Sequence, residues 1–168
     1  LQIGAALAAV GAVAQPVLIS RHPASTGMVY LIDVSASMNT IESTNGVNRT
    51  RLQIAGELLA QELKRLDPKT AAMVFLCGSD AEPLGKTPQY PGRLLMALNR
   101  IKISNSGFNE SEVANQLQAW LGTQKQPWEG CLISDGGLAL GGQALAKVFN
   151  GRLKTIIVGK ERGNLGIG

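Results

Sequence analysis

Met28-Val29-Tyr30-Leu31-Ile32-Asp33-Val34-Ser35-Ala36-Ser37-Met38 is the stretch that decides how this chain is read. Met28 to Val34 is an apolar run of strand length. It lacks the polar alternation of a half-exposed strand, which marks a strand buried on both faces, as in the middle of a parallel sheet. Asp33 brings a carboxylate to the end of that strand, and the hydroxyls of Ser35 and Ser37 follow at two-residue intervals. In a turn leaving a strand, all three can point at one spot. Such oxygen donors suit a hard cation, Mg²⁺, Mn²⁺ or Ca²⁺, and not a soft metal.

Downstream, helices and strands alternate. Arg51 to Leu66 carries Leu52, Ala55, Leu59, Leu63 and Leu66 at helical spacing, and Asp67-Pro68 stops it. Ala71 to Cys77 reads as a second buried strand, and Ala81 to Tyr90, broken by prolines, as a short edge segment and loop. Arg93 to Ile101 and Ser111 to Leu121 read as helices, the latter with Val113, Leu117 and Leu121 as its inner stripe. Cys131 to Ser134 is a third strand, Gln143 to Phe149 a helix and Thr155 to Val158 a fourth strand. Strands joined by crossover helices predict an α/β fold with a doubly wound, mainly parallel, Rossmann-like sheet flanked by helices. In such sheets ligands sit at the carboxyl ends of the strands, where the strand order reverses. The third strand runs into Ser134-Asp135-Gly136-Gly137, so Asp135 brings a second carboxylate to the same edge and the glycines permit a sharp turn.

The flanks differ from this pattern. Leu1 to Ser20 holds no charged residue, is rich in Ala, Gly and Val, and meets Pro16 before Arg21 and His22. Residues 1–20 are expected to be the end of a transmembrane or membrane-proximal apolar helix, residues 21–27 a linker, and residues 28–168 the domain. A small apolar helix packed on the domain is the alternative. The Gly-rich tail from Gly159 to Gly168 has no stop signal, and the native chain is expected to continue.

Composition narrows the function. The net charge is +4, with Lys and Arg scattered and few aromatics to stack bases, which argues against nucleic acid. Cys77 and Cys131 are too few for a disulfide framework and lack metal-ligand spacing. They read as small buried hydrophobes on strands separated by a third. At about 4.8 Å per strand that is too far to bridge. Gly85-Lys86-Thr87 lacks the upstream glycine of a phosphate-binding loop, and no GxGxxG occurs, so nucleotide binding is not expected. A metal-assisted hydrolase is the enzyme alternative, but the single histidine, His22, lies in the linker, so no catalytic residue is assigned.

Asp33, Ser35 and Ser37 with Met38, followed far downstream by Asp135 in Ser134-Asp135-Gly136, resemble the metal-ion-dependent adhesion site of von Willebrand factor A (VWA) domains. That family places DxSxS on the first strand, a Thr in a middle loop and an Asp after the fourth strand. The middle Thr is the departure: this chain has Ser106-Gly107-Phe108-Asn109-Glu110-Ser111. Aligning the stripe Val113, Leu117, Leu121 puts Ser111 at the Thr position, and a shifted register puts Asn109 there. The resemblance implies a divalent ion, Mg²⁺ first, held by Asp33, Ser35, Ser37, Ser111 and Asp135. One coordination place stays open for a Glu or Asp of a protein partner. The loop from Asn105 to Glu110, with Gly107, would rim the binding face.

The likeness runs from about Gly27 to Gly159 and implies a sheet that is six-stranded in the complete family fold. Ala12-Val13-Ala14-Gln15-Pro16 ahead of the first strand, and Phe75 to Leu84 leading into Thr87, look most like the Bat (aerotolerance) group of membrane-anchored bacterial proteins. That likeness implies an inner-membrane anchor, a periplasmic domain, sister VWA proteins as partners and an association with MoxR-type AAA+ ATPases. A scaffold whose metal site has decayed, binding partners through the same loops without metal, is the competing expectation.

Overall fold

The computed structural model describes residues 26–44, 46–136 and 143–159. The expected first strand is β1 (Gly27–Asp33), and all seven of its residues are buried. A turn and a small hairpin, β2 (Ile41–Thr44) and β3 (Val47–Thr50), follow it. The chain then forms α1 (Arg51–Arg65), β4 (Ala72–Cys77), β5 (Ala81–Pro83), α2 (Pro91–Ala97), α3 (Glu110–Gly122), β6 (Trp128–Ser134), α4 (Gln143–Val148) and β7 (Leu153–Ile157).

The main sheet has the order β5-β4-β1-β6-β7. β4, β1, β6 and β7 are parallel, and only the three-residue edge strand β5 runs antiparallel. Pro83 explains why β5 stays at the edge: a proline has no N–H for a further ladder. Successive side chains of β1 go to opposite layers. Met28, Tyr30 and Ile32 pack with Ala55, Leu59 and Leu63 of α1 and Leu94 of α2. Val29 and Leu31 pack with Val113 and Leu117 of α3 and Leu145 of α4. The result is helix, sheet, helix, as expected of a doubly wound fold.

α1 starts where Thr50 forms a reciprocal cap with Gln53. The Thr50 hydroxyl accepts from the Gln53 N–H at 3.2 Å, and Gln53 Oε1 accepts from the Thr50 N–H at 2.8 Å. Its stripe of Ala55, Leu59 and Leu63 is fully buried, so truncating Leu59 to Ala is expected to cost about 2–5 kcal/mol.

From β1 the chain moves to β4 on one side, then returns across β1 to β6 and β7 on the other. The strand order therefore reverses between β1 and β6, where open α/β sheets leave a crevice for a ligand. Register places the ends level. Asp33 pairs with Cys77, Ile32 with Ile133, and Ser134 with Ile157, so Asp33 and Ser134 share the last rung.

Cys77 and Cys131 are buried free thiols on β4 and β6, with β1 between them, as the sequence suggests. Burial pushes the Cys77 thiol far above its ordinary range and Cys131 up to about 12. The β2–β3 hairpin was not expected. Its strands are four residues long and bury no apolar stripe, with Ile41 65% and Val47 55% exposed, so periodicity is silent there. The available signal was Asn45-Gly46, the dipeptide of tight hairpin turns, and Gly46 has φ +76°. The apolar segment expected over residues 1–20 lies outside the described residues, as does the tail from residue 160. Among the described residues no helix is long and apolar enough to cross a membrane.

Candidate metal centre

Three of the expected residues meet at the end of β1. Asp33 is 2% exposed. Its Oδ1 accepts from the Ser35 N–H at 2.9 Å, an Asx turn built from adjacent residues. Its Oδ2 accepts from the Ser134 hydroxyl at 2.7 Å, a contact set by the β1–β6 register. A carboxylate offers about four acceptor positions, so each oxygen retains capacity for an ion or its water. The chain then enters a 3₁₀ turn, Ala36–Asn39, pinned by the buried Met38. Ser35 is buried and Ser37 exposed, with their Oγ atoms 3.1 Å apart. Mg²⁺ binds oxygen at 2.0–2.1 Å in near-octahedral geometry, which puts adjacent ligand oxygens about 2.9 Å apart. The hydroxyl pair therefore fits one edge of such a shell, beside a buried carboxylate and open to solvent on the Ser37 side.

The middle loop lies against this turn. The Ser104 N–H donates to Val34 O at 2.7 Å, the Ala36 N–H to Ser106 O at 3.2 Å, and the Asn109 N–H to Gly78 O at 2.8 Å. The loop is thereby strapped to the ends of both β1 and β4. Its hydroxyls at Ser104 and Ser106 lie 2.6 Å apart, and Ser106 Oγ accepts from the Ser79 N–H at 3.2 Å. The two residues aligned with the family Thr are engaged elsewhere. Asn109 caps α3, its Oδ1 accepting from the Glu112 N–H at 3.2 Å. Ser111 is exposed and lines the groove between α3 and α4 with Ala114, Gln118 and Ala144. No described hydrogen bond joins either side chain to the Asp33 turn. The Ser104/Ser106 pair was not singled out from sequence, although it repeats the two-residue spacing of Ser35 and Ser37.

Asp135 follows Ser134 directly and is held by a cation of the chain. Arg51 Nη1 donates to Asp135 Oδ2 at 3.0 Å, and Arg51 Nε donates to Glu42 Oε1 at 2.8 Å. The hydrogen bond to Glu42, reinforced by its charge and by Asp135, holds the guanidinium even more firmly protonated than usual, with burial opposing. Gly136 turns the chain away at φ +84°, the sharp turn read from sequence; Gly137 lies outside the described residues. Gly159, at φ +98° beyond β7, lies directly on the ion pair: a Cβ there would stand 2.9 Å from Arg51 Nε. Arg51 and Glu42 were not anticipated. A signal existed, because Arg51 is the first residue of α1, where a cation opposes the helix dipole and calls for a compensating partner.

Among the described residues no three His, Cys, Asp or Glu side chains gather to hold a metal. The donors at this corner are hydroxyls and one buried carboxylate, with the second carboxylate turned to Arg51. In kind these donors suit a hard divalent ion, and the Ser35–Ser37 pair has the spacing of adjacent ligands.

No family model and no curated protein matches the chain. Solved structures do resemble it. Conserved hypothetical protein BatB from Bacteroides thetaiotaomicron superposes with a TM-score of 0.61 at 20% identity, over 79% of this chain and 65% of that one. An aerotolerance-related membrane protein from Bacteroides fragilis NCTC 9343 gives 0.61 at 16% identity, over 80% and 68%. A von Willebrand factor type A structure from Catenulispora acidiphila gives 0.57 at 17% identity, over 78% and 32%. The chain thus spans 65% of the length of the BatB structure, just under two thirds. The fold is the VWA fold, of the kind seen in Bat proteins.

Proposed function

We propose that this chain is a protein-binding module that holds a divalent ion, Mg²⁺ first, at the end of β1 and uses it to grip an acidic residue of a partner. The observation that carries the reading is the pair of hydroxyls at Ser35 and Ser37, 3.1 Å apart beside the buried Asp33 at the switch in strand order. Asp33, Ser35 and Ser37 supply the local donors and Asp135 the second carboxylate. Ser111, or Asn109 in the shifted register, supplies the middle-loop oxygen after a rearrangement of the first turn of α3. Two carboxylates nearly neutralise a dication, and an anionic partner ligand then outcompetes water for the open place.

We read the role as binding and not catalysis: among the described residues the site holds no histidine and no positioned general base. The likeness to Bat structures supports a membrane-associated setting. We place the domain in the periplasm of a bacterium, with sister VWA proteins and a MoxR-type ATPase system as candidate partners. Arg51 on Asp135 favours a second reading, in which the scaffold binds its partner without metal.

Calorimetric titration of Mg²⁺, Mn²⁺ and Ca²⁺ into the chain and into Asp33→Ala tests the reading. Saturable binding below about 1 mM, lost in Asp33→Ala, is the expected outcome. Equal binding by both forms would sink it. Ser111→Ala beside Ser106→Ala then identifies the middle-loop donor, since only the substitution that removes a ligand weakens binding.

A further inference from the structure

Asp135 carries the second carboxylate that the metal reading needs, and the chain already provides it with a positive charge. The Asp135, Arg51 and Glu42 side chains are only 9%, 17% and 16% exposed, so their ion pairs are shielded from solvent and salt. The guanidinium is also fixed from behind. Arg51 opens α1, its backbone N–H donates to Thr40 O at 2.9 Å, and the Gly159 backbone leaves no room for a Cβ beside its Nε. One planar fork thus ties the β2–β3 hairpin, through Glu42, to the end of β6, through Asp135. Arg holds such two-armed geometry where Lys cannot. A dication ligated by Asp135 and a guanidinium bonded to the same carboxylate would place two positive centres a few ångströms apart, beside side chains that are mostly buried.

We propose that Arg51 is a resident counter-ion that competes with the divalent ion for Asp135, so that metal entry displaces the guanidinium and unties the β2–β3 hairpin from the sheet. The proposal rests on the metal-binding reading above and deepens it. It makes the hairpin, with exposed Ile41 and Val47, the surface that responds to occupancy.

The test is Mg²⁺ titration by calorimetry into the chain, Arg51→Gln, Arg51→Lys, Arg49→Gln and Asp33→Ala, with hydrogen exchange of residues 41–50 with and without Mg²⁺. Arg49 sits on the same hairpin but pairs with Glu57, so Arg49→Gln reports the effect of removing a nearby charge alone. Arg51→Lys keeps the charge and loses the two-armed bridge, which guards against a folding or net-charge artefact in Arg51→Gln. Arg51→Gln is expected to bind Mg²⁺ about tenfold more tightly than the unaltered chain. Arg51→Lys should gain about threefold, and Arg49→Gln should stay within about twofold. Hairpin amides of the unaltered chain should exchange faster once Mg²⁺ saturates it. Binding seen only in the Arg51 variants would also support the proposal. If the chain binds Mg²⁺ and Asp33→Ala does not, yet the Arg51 variants gain no more than Arg49→Gln, the competition is overturned and the metal reading stands. If no form binds Mg²⁺, both fall.

Discussion

The two carboxylates at the edge of the sheet are one residue type solved in two ways. Asp33 is satisfied by neutral donors: a backbone N–H two residues on and a hydroxyl across the β1–β6 register. Asp135 is satisfied by a full positive charge contributed from 84 residues away. The first arrangement leaves an anion with spare acceptor capacity in a buried place, which a cation would improve. The second is already neutralised, so a cation must displace something. The same corner therefore contains a half closed by short-range neutral donors and a half closed by a long-range charge, and under the proposed metal reading only the first is open to an ion.

The largest effect expected from breaking this contrast is at Asp33. Asp33→Ala leaves the Ser134 hydroxyl and the Ser35 N–H without a buried acceptor, and should cost about 2–4 kcal/mol in urea unfolding even without metal. Asp33→Asn keeps an amide oxygen for one of them, so it should cost less while still removing any Mg²⁺-dependent rise in Tm. Asp135→Asn comes next. It removes the charge opposite Arg51 in a mostly buried pair, worth about 1–2 kcal/mol, and the loss should persist at high salt, unlike that of an exposed pair. Were Asp135→Asn neutral, the two carboxylates would not differ as described.

Ser37→Ala sharpens the comparison from the other side. Ser37 is exposed, so the substitution should change stability by less than about 0.5 kcal/mol while weakening Mg²⁺ binding clearly. A loss of stability without a loss of affinity would make the hydroxyl a turn former only. The smallest effect is expected at the thiols. Burial disfavours both thiolates, so Cys77 and Cys131 should resist alkylation at pH 8 until the chain is unfolded. Cys77 is level with Asp33, so its faster labelling in Asp33→Ala would show that this end of the sheet opens.

Much of the fold was legible, for a physical reason. The central strands are buried on both faces and the helices carry apolar stripes, so pattern and burial coincide. Where burial is absent, pattern fails: the β2–β3 hairpin, whose apolar Ile41 and Val47 are exposed, went unread despite Asn45-Gly46. The same division runs through the site. The Asp33 turn was readable because its contacts lie within a few residues. The pairing of Asp135 with Arg51 was not, because nothing adjacent in sequence marks it.

What the sequence determined by itself is the α/β layering, the burial of β1, and the placing of Asp33, Ser35 and Ser37 in a turn that gathers oxygen donors. These follow from periodicity and from bonds closed within four residues. The tertiary structure decided which hydroxyl lies across from Asp33, which loop straps its turn, where Ser111 faces, and that Arg51 meets both Glu42 and Asp135. Strand order and register bring those groups together, and each pairing depends on charges and hydroxyls that gain their partners only once the sheet has closed.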